Sequence, residues 1–478
     1  MEEITVHEIR KNKGEVNMKG ETCWSYAPYT PPLFDSGDIY ICRIAPAETS
    51  VTVQWLGENE TVYTVAHSRR GMNQWTRTEV TGTSVTLTGL DGNAEYEIRV
   101  SADGKHSRTR LVKTGFVPGD AVINYLHPED DCYKFSGQYL CSPSMVRHPD
   151  GHLLASMDVF KGGGPQNLSL IFRSDDDGAT WNYVCELFPC FWGRLFIHRG
   201  ELYMLSCSTE YGDLLIGKST DGGNTFSKPV CLLRGTGNQK EKGIHKNPQK
   251  MLEYKGRLWT TMEWGSWGTG THAAMCASVP ADSDLMDPAN WSFTDPAPYD
   301  PTWEGVAEGP SAGCIEGCMV LAPDGEIYNV MRYQMGGCKP DYGMAIVMKP
   351  DTDNPEKRLD FARAIQFPGN HSKFEIHRDE VTGKYLSMVS YLCETHPTGR
   401  NYLALIASDD MIHWEKVSDL LNYSHLPEKD VGFQYVTFLI EGDDLIYDSR
   451  TAFNGAHNFH DANYATFHRV KNFRKLLT

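Results

Sequence analysis

Ser174-Asp175-Asp176-Asp177-Gly178-Ala179-Thr180-Trp181 and Ser219-Thr220-Asp221-Gly222-Gly223-Asn224-Thr225-Phe226 repeat one pattern, S-x-D-x-G-x-T-aromatic, forty-five residues apart. A degraded third copy, Ser408-Asp409-Asp410-Met411-Ile412-His413-Trp414, follows where a later repeat needs it. A period of this length is one blade of a β-propeller. The residue types specify a hairpin between two strands. Ser and Asp side chains hydrogen-bond the turn backbone, Gly supplies a positive φ, and the aromatic ring packs back between blades. The pattern is structural, and it predicts an all-β chain.

The pattern also resembles the Asp box of sialidases and related glycan-active propellers. That resemblance implies a six-bladed β-propeller and a carbohydrate substrate. Composition agrees with such a division of the chain. At 478 residues it exceeds one ordinary domain, and 40% apolar with 11% aromatic residues suffice for a substantial core. The net charge of −17 argues against nucleic acid or an anionic membrane as the main partner, since both need a basic face. An acidic substrate in a locally basic pocket stays open. No run approaches the roughly eighteen apolar residues of a membrane span. The start, Met1-Glu2-Glu3-Ile4-Thr5, lacks the regions of a signal peptide, so a cytoplasmic location is expected unless a leader was removed. Thirteen cysteines, an odd number without CxxC pairs, read as buried thiols in a reducing compartment.

Three regions follow. Residues 1–36 form an N-terminal segment. Residues 37–115 carry alternating runs such as Ser50-Val51-Thr52-Val53-Gln54-Trp55 and Ser84-Val85-Thr86-Leu87-Thr88, which predict a small β-sandwich. With Trp55 as its core residue and Tyr96 as its corner tyrosine, this module looks like a fibronectin type III domain. Residues 120–478 form the propeller, divided near 133–187, 188–233, 245–299, 308–368, 372–421 and 432–476. A ring closing on its own strands is expected to survive deletion up to about Thr114. Packing of the segment that contains Trp24 on the ring would defeat that expectation.

In a propeller the innermost strands converge on one cleft, so catalytic groups belong at the starts of first strands and the ends of second strands. In the fourth unit, Glu316 and Arg332 flank the turn Pro323-Asp324-Gly325 on two antiparallel strands and can end at one face. In the sixth, Gly432-Phe433-Gln434-Tyr435-Val436 is similar to the sialidase stretch that begins with the nucleophilic tyrosine, which places Tyr435 in that role and Gln434 beside it. A phenol is a poor nucleophile near neutral pH, so it needs a carboxylate to take its proton, and Glu316 is the matching residue. The chain departs from the family in the first unit. Where sialidases carry Tyr-Arg-Ile-Pro, this sequence reads Tyr139-Leu140-Cys141-Ser142-Pro143, without the first of three arginines that clamp a carboxylate. Typical sialosides are therefore expected to be poor substrates.

Other groups are singled out by position. Asp158, Glu210 and Glu263 end second strands, and Asp158 matches the family's acid/base by place. Arg332, Arg450, Lys373, His245 and His457 are candidates to hold the substrate, with Trp192, Trp264 and Trp267 as rings on which a sugar stacks. The stretch Ser449–Asn463 packs Arg450, His457, His460 and Asp461 with three Asn, costly to bury unpartnered and so placed at the cleft. A metal reading of His457, His460 and Asp461 fails on spacing, because i, i+3, i+4 suits a helix and this is loop text. Neither metal nor cofactor is expected. The expected function is a sialidase-like glycoside hydrolase acting on an acidic sugar. The rivals are a polysaccharide lyase, using His245, His457 and Tyr435 on a uronate, and a non-catalytic glycan-binding propeller.

Overall fold

The computed structural model describes residue 24, residues 39–392 and residues 400–477. The remaining residues of the 1–36 segment, and Cys393, lie outside them. Among the described residues no α-helix forms, and the eleven described cysteines are all free. The molecule is a β-propeller carrying a β-sandwich.

The propeller is built from successive antiparallel sheets. Sheet one holds Tyr139–Arg147, Leu153–Phe160, Leu168–Ser174 and Asn182–Leu187. Sheet two holds Phe191–His198, Glu201–Cys207, Leu214–Ser219 and Val230–Leu233. Sheet three is built on Gly243–His245, Arg257–Ser266, Thr271–Pro280 and Ser292–Phe293. Sheet four runs through Cys314–Leu321, Ile327–Tyr333, Met344–Lys349 and Asp360–Gln366, and sheet five through Ile376–Arg378, Tyr385–Ser390, Tyr402–Ser408 and Glu415–Asn422. Sheet six joins Gly432–Glu441, Asp444–Ala452 and Tyr464–Val470 to Ala121–Tyr125. The last sheet thus takes its outermost strand from the segment that leaves the sandwich, which ties the two ends of the ring by backbone hydrogen bonds.

The repeated octapeptides join the third and fourth strands of sheets one and two. In the first, Asp176 Oδ1 accepts from Thr180 N at 2.8 Å and Ser174 Oγ accepts from Gly178 N at 2.8 Å, with Gly178 at φ 94°. Asp221, Thr225, Ser219 and Gly223 repeat the arrangement. Trp181 and Phe226 are buried. In the degraded copy Met411 takes the positive φ in place of Gly, and Asp410 still caps the turn.

First strands line the axis. Arg194, from sheet two, donates to Glu375 Oε1 of the fifth unit at 2.7 Å and to Thr437 Oγ1 of sheet six at 3.0 Å. Lys373 Nζ adds a 2.8 Å bond to the same Glu375 oxygen, and His377 Nε2 lies 3.1 Å from the other.

The sandwich packs a three-stranded sheet on a five-stranded one, with Trp55 buried and the Tyr96 hydroxyl accepting from Asp91 N at 2.8 Å. It does not stand apart from the ring. Arg43 donates to Ile123 O at 2.7 Å and Val122 O at 2.8 Å, on the strand that closes sheet six. Tyr125 and Tyr464 belong to the sandwich core, while Tyr40 and Cys42 belong to the core of sheet one. Trp24 is buried between sheets one and two, where its Nε1 donates to Pro189 O at 2.9 Å. Gly217 makes room for it, since a Cβ there would stand 2.5 Å from the indole.

Candidate active site

Four first strands break register at one equivalent point, between Cys141 and Ser144, Phe191 and Arg194, Ile315 and Cys318, and Gln434 and Thr437. At each break a non-glycine residue adopts positive φ: Ser142 at 50°, Trp192 at 54°, Glu316 at 53° and Tyr435 at 56°. A bulge re-aims a side chain, and left-handed backbone at bulky residues costs about 1–3 kcal/mol each, so it persists only where the surroundings impose it. Next to Glu316 the chain must be Gly317, because a Cβ there would stand 2.1 Å from Asn329 Oδ1. All four bulge residues line one cavity of 350 Å³.

Inside it, the Tyr435 hydroxyl donates to Glu316 Oε1 at 2.5 Å. Arg332 Nη1 donates to Glu316 Oε2 at 2.6 Å and lies 3.5 Å from Tyr435 Oη. Burial pushes Glu316 up, but Arg332 and His245 overcome it and hold the carboxyl below the usual range. Burial, then the Glu316 charge, pushes Tyr435 up to about 12. At neutral pH the pair is therefore a protonated phenol beside an ionised carboxylate, as a tyrosine nucleophile with its base requires.

Two more guanidiniums crowd this pair. Arg450 sits over the Tyr435 ring at 5.0 Å and over Phe160 at 4.8 Å, its Nε buried without a partner. Arg400 donates to Gln434 Oε1 and lies over Phe459 at 5.5 Å. Burial and then repulsion from Arg332 pull Arg400 down to about 9. Among the described residues, Glu316 is the one carboxylate that pairs directly with any of the three. Such a surplus of buried positive charge is costly unless an anion joins it.

Across the cavity, His245 Nδ1 meets Glu263 Oε2 at 2.5 Å. Trp192 packs on this imidazole at 4.4 Å. Glu210 accepts from Gln166 Nε2 at 2.9 Å, from Trp267 Nε1 at 2.9 Å and from Gln239 Nε2.

No protein-family model matches the sequence, and a search of curated proteins finds no match. Solved structures do match in fold. The α-L-arabinofuranosidase Arb93A of Fusarium graminearum, solved with an iminosugar inhibitor, is 14% identical over 75% of this chain and 99% of its own, with a TM-score of 0.50. The leech intramolecular trans-sialidase, solved with 2,7-anhydro-Neu5Ac, is 9% identical over 95% of this chain and 96% of its own, also at 0.50. At these identities the likeness is one of fold.

Tyr435, Glu316, Arg332, Arg450 and His245 meet as the sequence suggests. Others do not. Asp158 is a buried brace between sheets one and two, with Oδ1 accepting from Ser169 Oγ and Oδ2 from Trp192 N at 2.7 Å. Lys373 points into the axial network and not into the cavity. Trp264 packs in the core beside sheet two, and Trp267 takes the cavity wall. Glu263 and Gln434 act through the groups they hold, His245 and Arg400. His457 sits on the rim, stacked on Tyr139 with Nδ1 2.8 Å from Asp461, while His460 reaches the cavity. Sequence reasoning missed Arg400, a lone arginine after a stretch of sequence without periodicity. Arg450 stacks on Phe160, the register partner of Tyr139, and its charge acts on the Cys141 thiol. A guanidinium thus stands beside Tyr139-Leu140-Cys141, the first-unit segment that carries no arginine of its own.

Burial holds the Asp158 carboxyl up at about 7, against an ordinary value near 4 when unfolded. Between those values the folded chain binds the extra proton, so this group's contribution to stability falls as pH rises from about 4 to 7. Asp158→Asn should flatten that fall, by a few kcal/mol at most, and keep turnover within about tenfold. Chemical denaturation across pH, with initial rates, checks both; loss of activity beyond a hundredfold would return Asp158 to the chemistry.

Proposed function

We propose that this chain is a glycoside hydrolase that removes an acidic sugar from a glycan. The observation that carries the reading is the 2.5 Å bond from Tyr435 to Glu316 in a cavity also faced by Arg450. Tyr435 attacks the anomeric carbon as Glu316 takes its proton, and a phenol meets an anionic sugar without the repulsion a carboxylate nucleophile suffers. Arg332, Arg400 and Arg450 receive the substrate's carboxylate, which offsets their mutual repulsion.

A second reading, a polysaccharide lyase, is favoured by one feature: an oriented imidazole, His245, shares the cavity with Tyr435. Acidic oligosaccharides screened with product mass spectrometry separate the two. Hydrolysis adds the mass of water, and elimination leaves it unchanged with an unsaturated, ultraviolet-absorbing uronate. Arg450→Met should weaken KM for the acidic substrate about a hundredfold, since a buried charge partner is worth about 2–5 kcal/mol. Equal turnover of neutral and acidic glycosides by the native chain would sink the proposal.

A further inference from the structure

We infer that His245, oriented by Glu263, is the acid that delivers a proton to the departing glycosidic oxygen. The inference rests on the hydrolase reading and adds to it the group that breaks the bond.

The argument begins with elimination among carboxylates. Asp158 does not reach the cavity, and both its oxygens are occupied as acceptors. Glu210 does reach it, but three N–H donors converge on its oxygens, so a proton there would displace one of those bonds. Glu263 is completely buried and spent on His245 and Gly317 N, the latter at 3.4 Å. Among the cavity's imidazoles, His460 is held down at about 4, by burial and then by Arg450, and carries no proton to give near neutrality.

His245 is held differently, by a carboxylate on one nitrogen. With Nδ1 committed to Glu263, Nε2 is the nitrogen that remains for a ligand, and the residue lines the cavity. A carboxylate on one imidazole nitrogen fixes the ring's orientation and leaves the other nitrogen to the ligand. Trp192 at 4.4 Å and Trp267 at 5.9 Å pack against the ring and hold it in place. The other titratable groups facing it are Glu316, Tyr211 at 6.2 Å and His272 at 5.0 Å, the last held neutral by burial.

The ring geometry supplies the second half. His245 comes from sheet three and Tyr435 from sheet six, with two sheets between them whichever way the ring is followed. Both residues nevertheless line the one cavity, so a sugar bound there can meet the nucleophile and the proton donor together. In the first step the Tyr435 oxygen bonds to the anomeric carbon as the glycosidic C–O bond breaks. Glu316 takes the phenol proton, and His245 Nε2 protonates the leaving oxygen. In the second step water attacks the same carbon as the bond from that carbon to the Tyr435 oxygen breaks; water gives a proton to His245, and Glu316 returns its proton to Tyr435. The sum is one glycoside and one water giving sugar and alcohol.

A general acid matters in proportion to how badly the leaving group needs a proton, and is worth about 10²–10⁴-fold. The test uses the full chain with methyl and 4-nitrophenyl glycosides of N-acetylneuraminic and glucuronic acids. His245→Ala should lose about a thousandfold in kcat/KM on the methyl glycoside and less than tenfold on the 4-nitrophenyl one. Tyr435→Phe should lose equally on both. Glu263→Gln should lower kcat on the methyl glycoside with KM unchanged. Should His245→Ala fail to fold, His245→Gln keeps the side chain's bulk and carries the same expectation. Equal losses on both leaving groups for the His245 variants would overturn the inference and leave the hydrolase reading standing. A native chain that turns over neither series, or yields unsaturated products, would take down both.

Discussion

Tyr435→Phe is expected to lower turnover on an acidic glycoside by three or more orders of magnitude, with an unchanged melting temperature. The hydroxyl it removes makes one strong bond, to Glu316, while the ring keeps its place under Arg450. Glu316→Gln should lose as much, and the double variant should resemble either single, because nucleophile and base act as one unit and their losses do not add. The base works only when ionised, so activity is lost as pH falls through the Glu316 pKa, which Arg332 and His245 hold low against burial. Arg332→Met removes the larger of those two effects. The acid limb of the rate profile should then move to higher pH. Near-normal rates for Tyr435→Phe would end the tyrosine-nucleophile reading.

Deleting residues 1–114 is expected to give an insoluble or molten chain, contrary to the expectation of an independent ring. Asp130 would be left buried without Arg110, which now lies at 2.5 Å with both side chains almost fully shielded. An unpaired buried charge costs about 3–5 kcal/mol, a large part of the net stability of most domains. The closing strand Ala121–Tyr125 would lose Arg43 from two carbonyls, Tyr125 and Tyr464 would lose the core around them, and the Trp24 site would be empty. Arg110→Met alone should destabilise the full chain by a similar amount. Solubility, size-exclusion behaviour and circular dichroism of the truncated chain decide the matter. A soluble ring that melts cooperatively would show that the interface is dispensable.

Local chemistry was legible wherever a residue's own neighbours in sequence decide its conformation. The Ser, Asp, Gly and Thr of the repeated turns bond within their own octapeptide, so their spacing alone announces four-stranded units and an all-β chain. Period-two alternation announces the sandwich for the same reason. Glu316, Arg332 and Tyr435 were readable because a hairpin register and a short motif place them. The sequence by itself thus determined the strands, the turns, the repeat and the pairing of Tyr435 with Glu316.

What it could not determine depends on contacts between distant segments. Asp158 and Lys373 have residue types suited to catalysis, and only packing across the ring commits the one to Ser169 and Trp192 and the other to Glu375. Arg400, just before the strand Tyr402–Ser408 of sheet five, and Arg450, within the strand Asp444–Ala452 of sheet six, become a charge cluster only because the two sheets are brought together. The four bulges, which turn Ser142, Trp192, Glu316 and Tyr435 into the cavity, carry no shared sequence signal. Closure also recruits Ala121–Tyr125 across more than three hundred residues to finish sheet six. Propensity acts over a few residues; burial and charge balance act through space, and they decided which groups face the cavity.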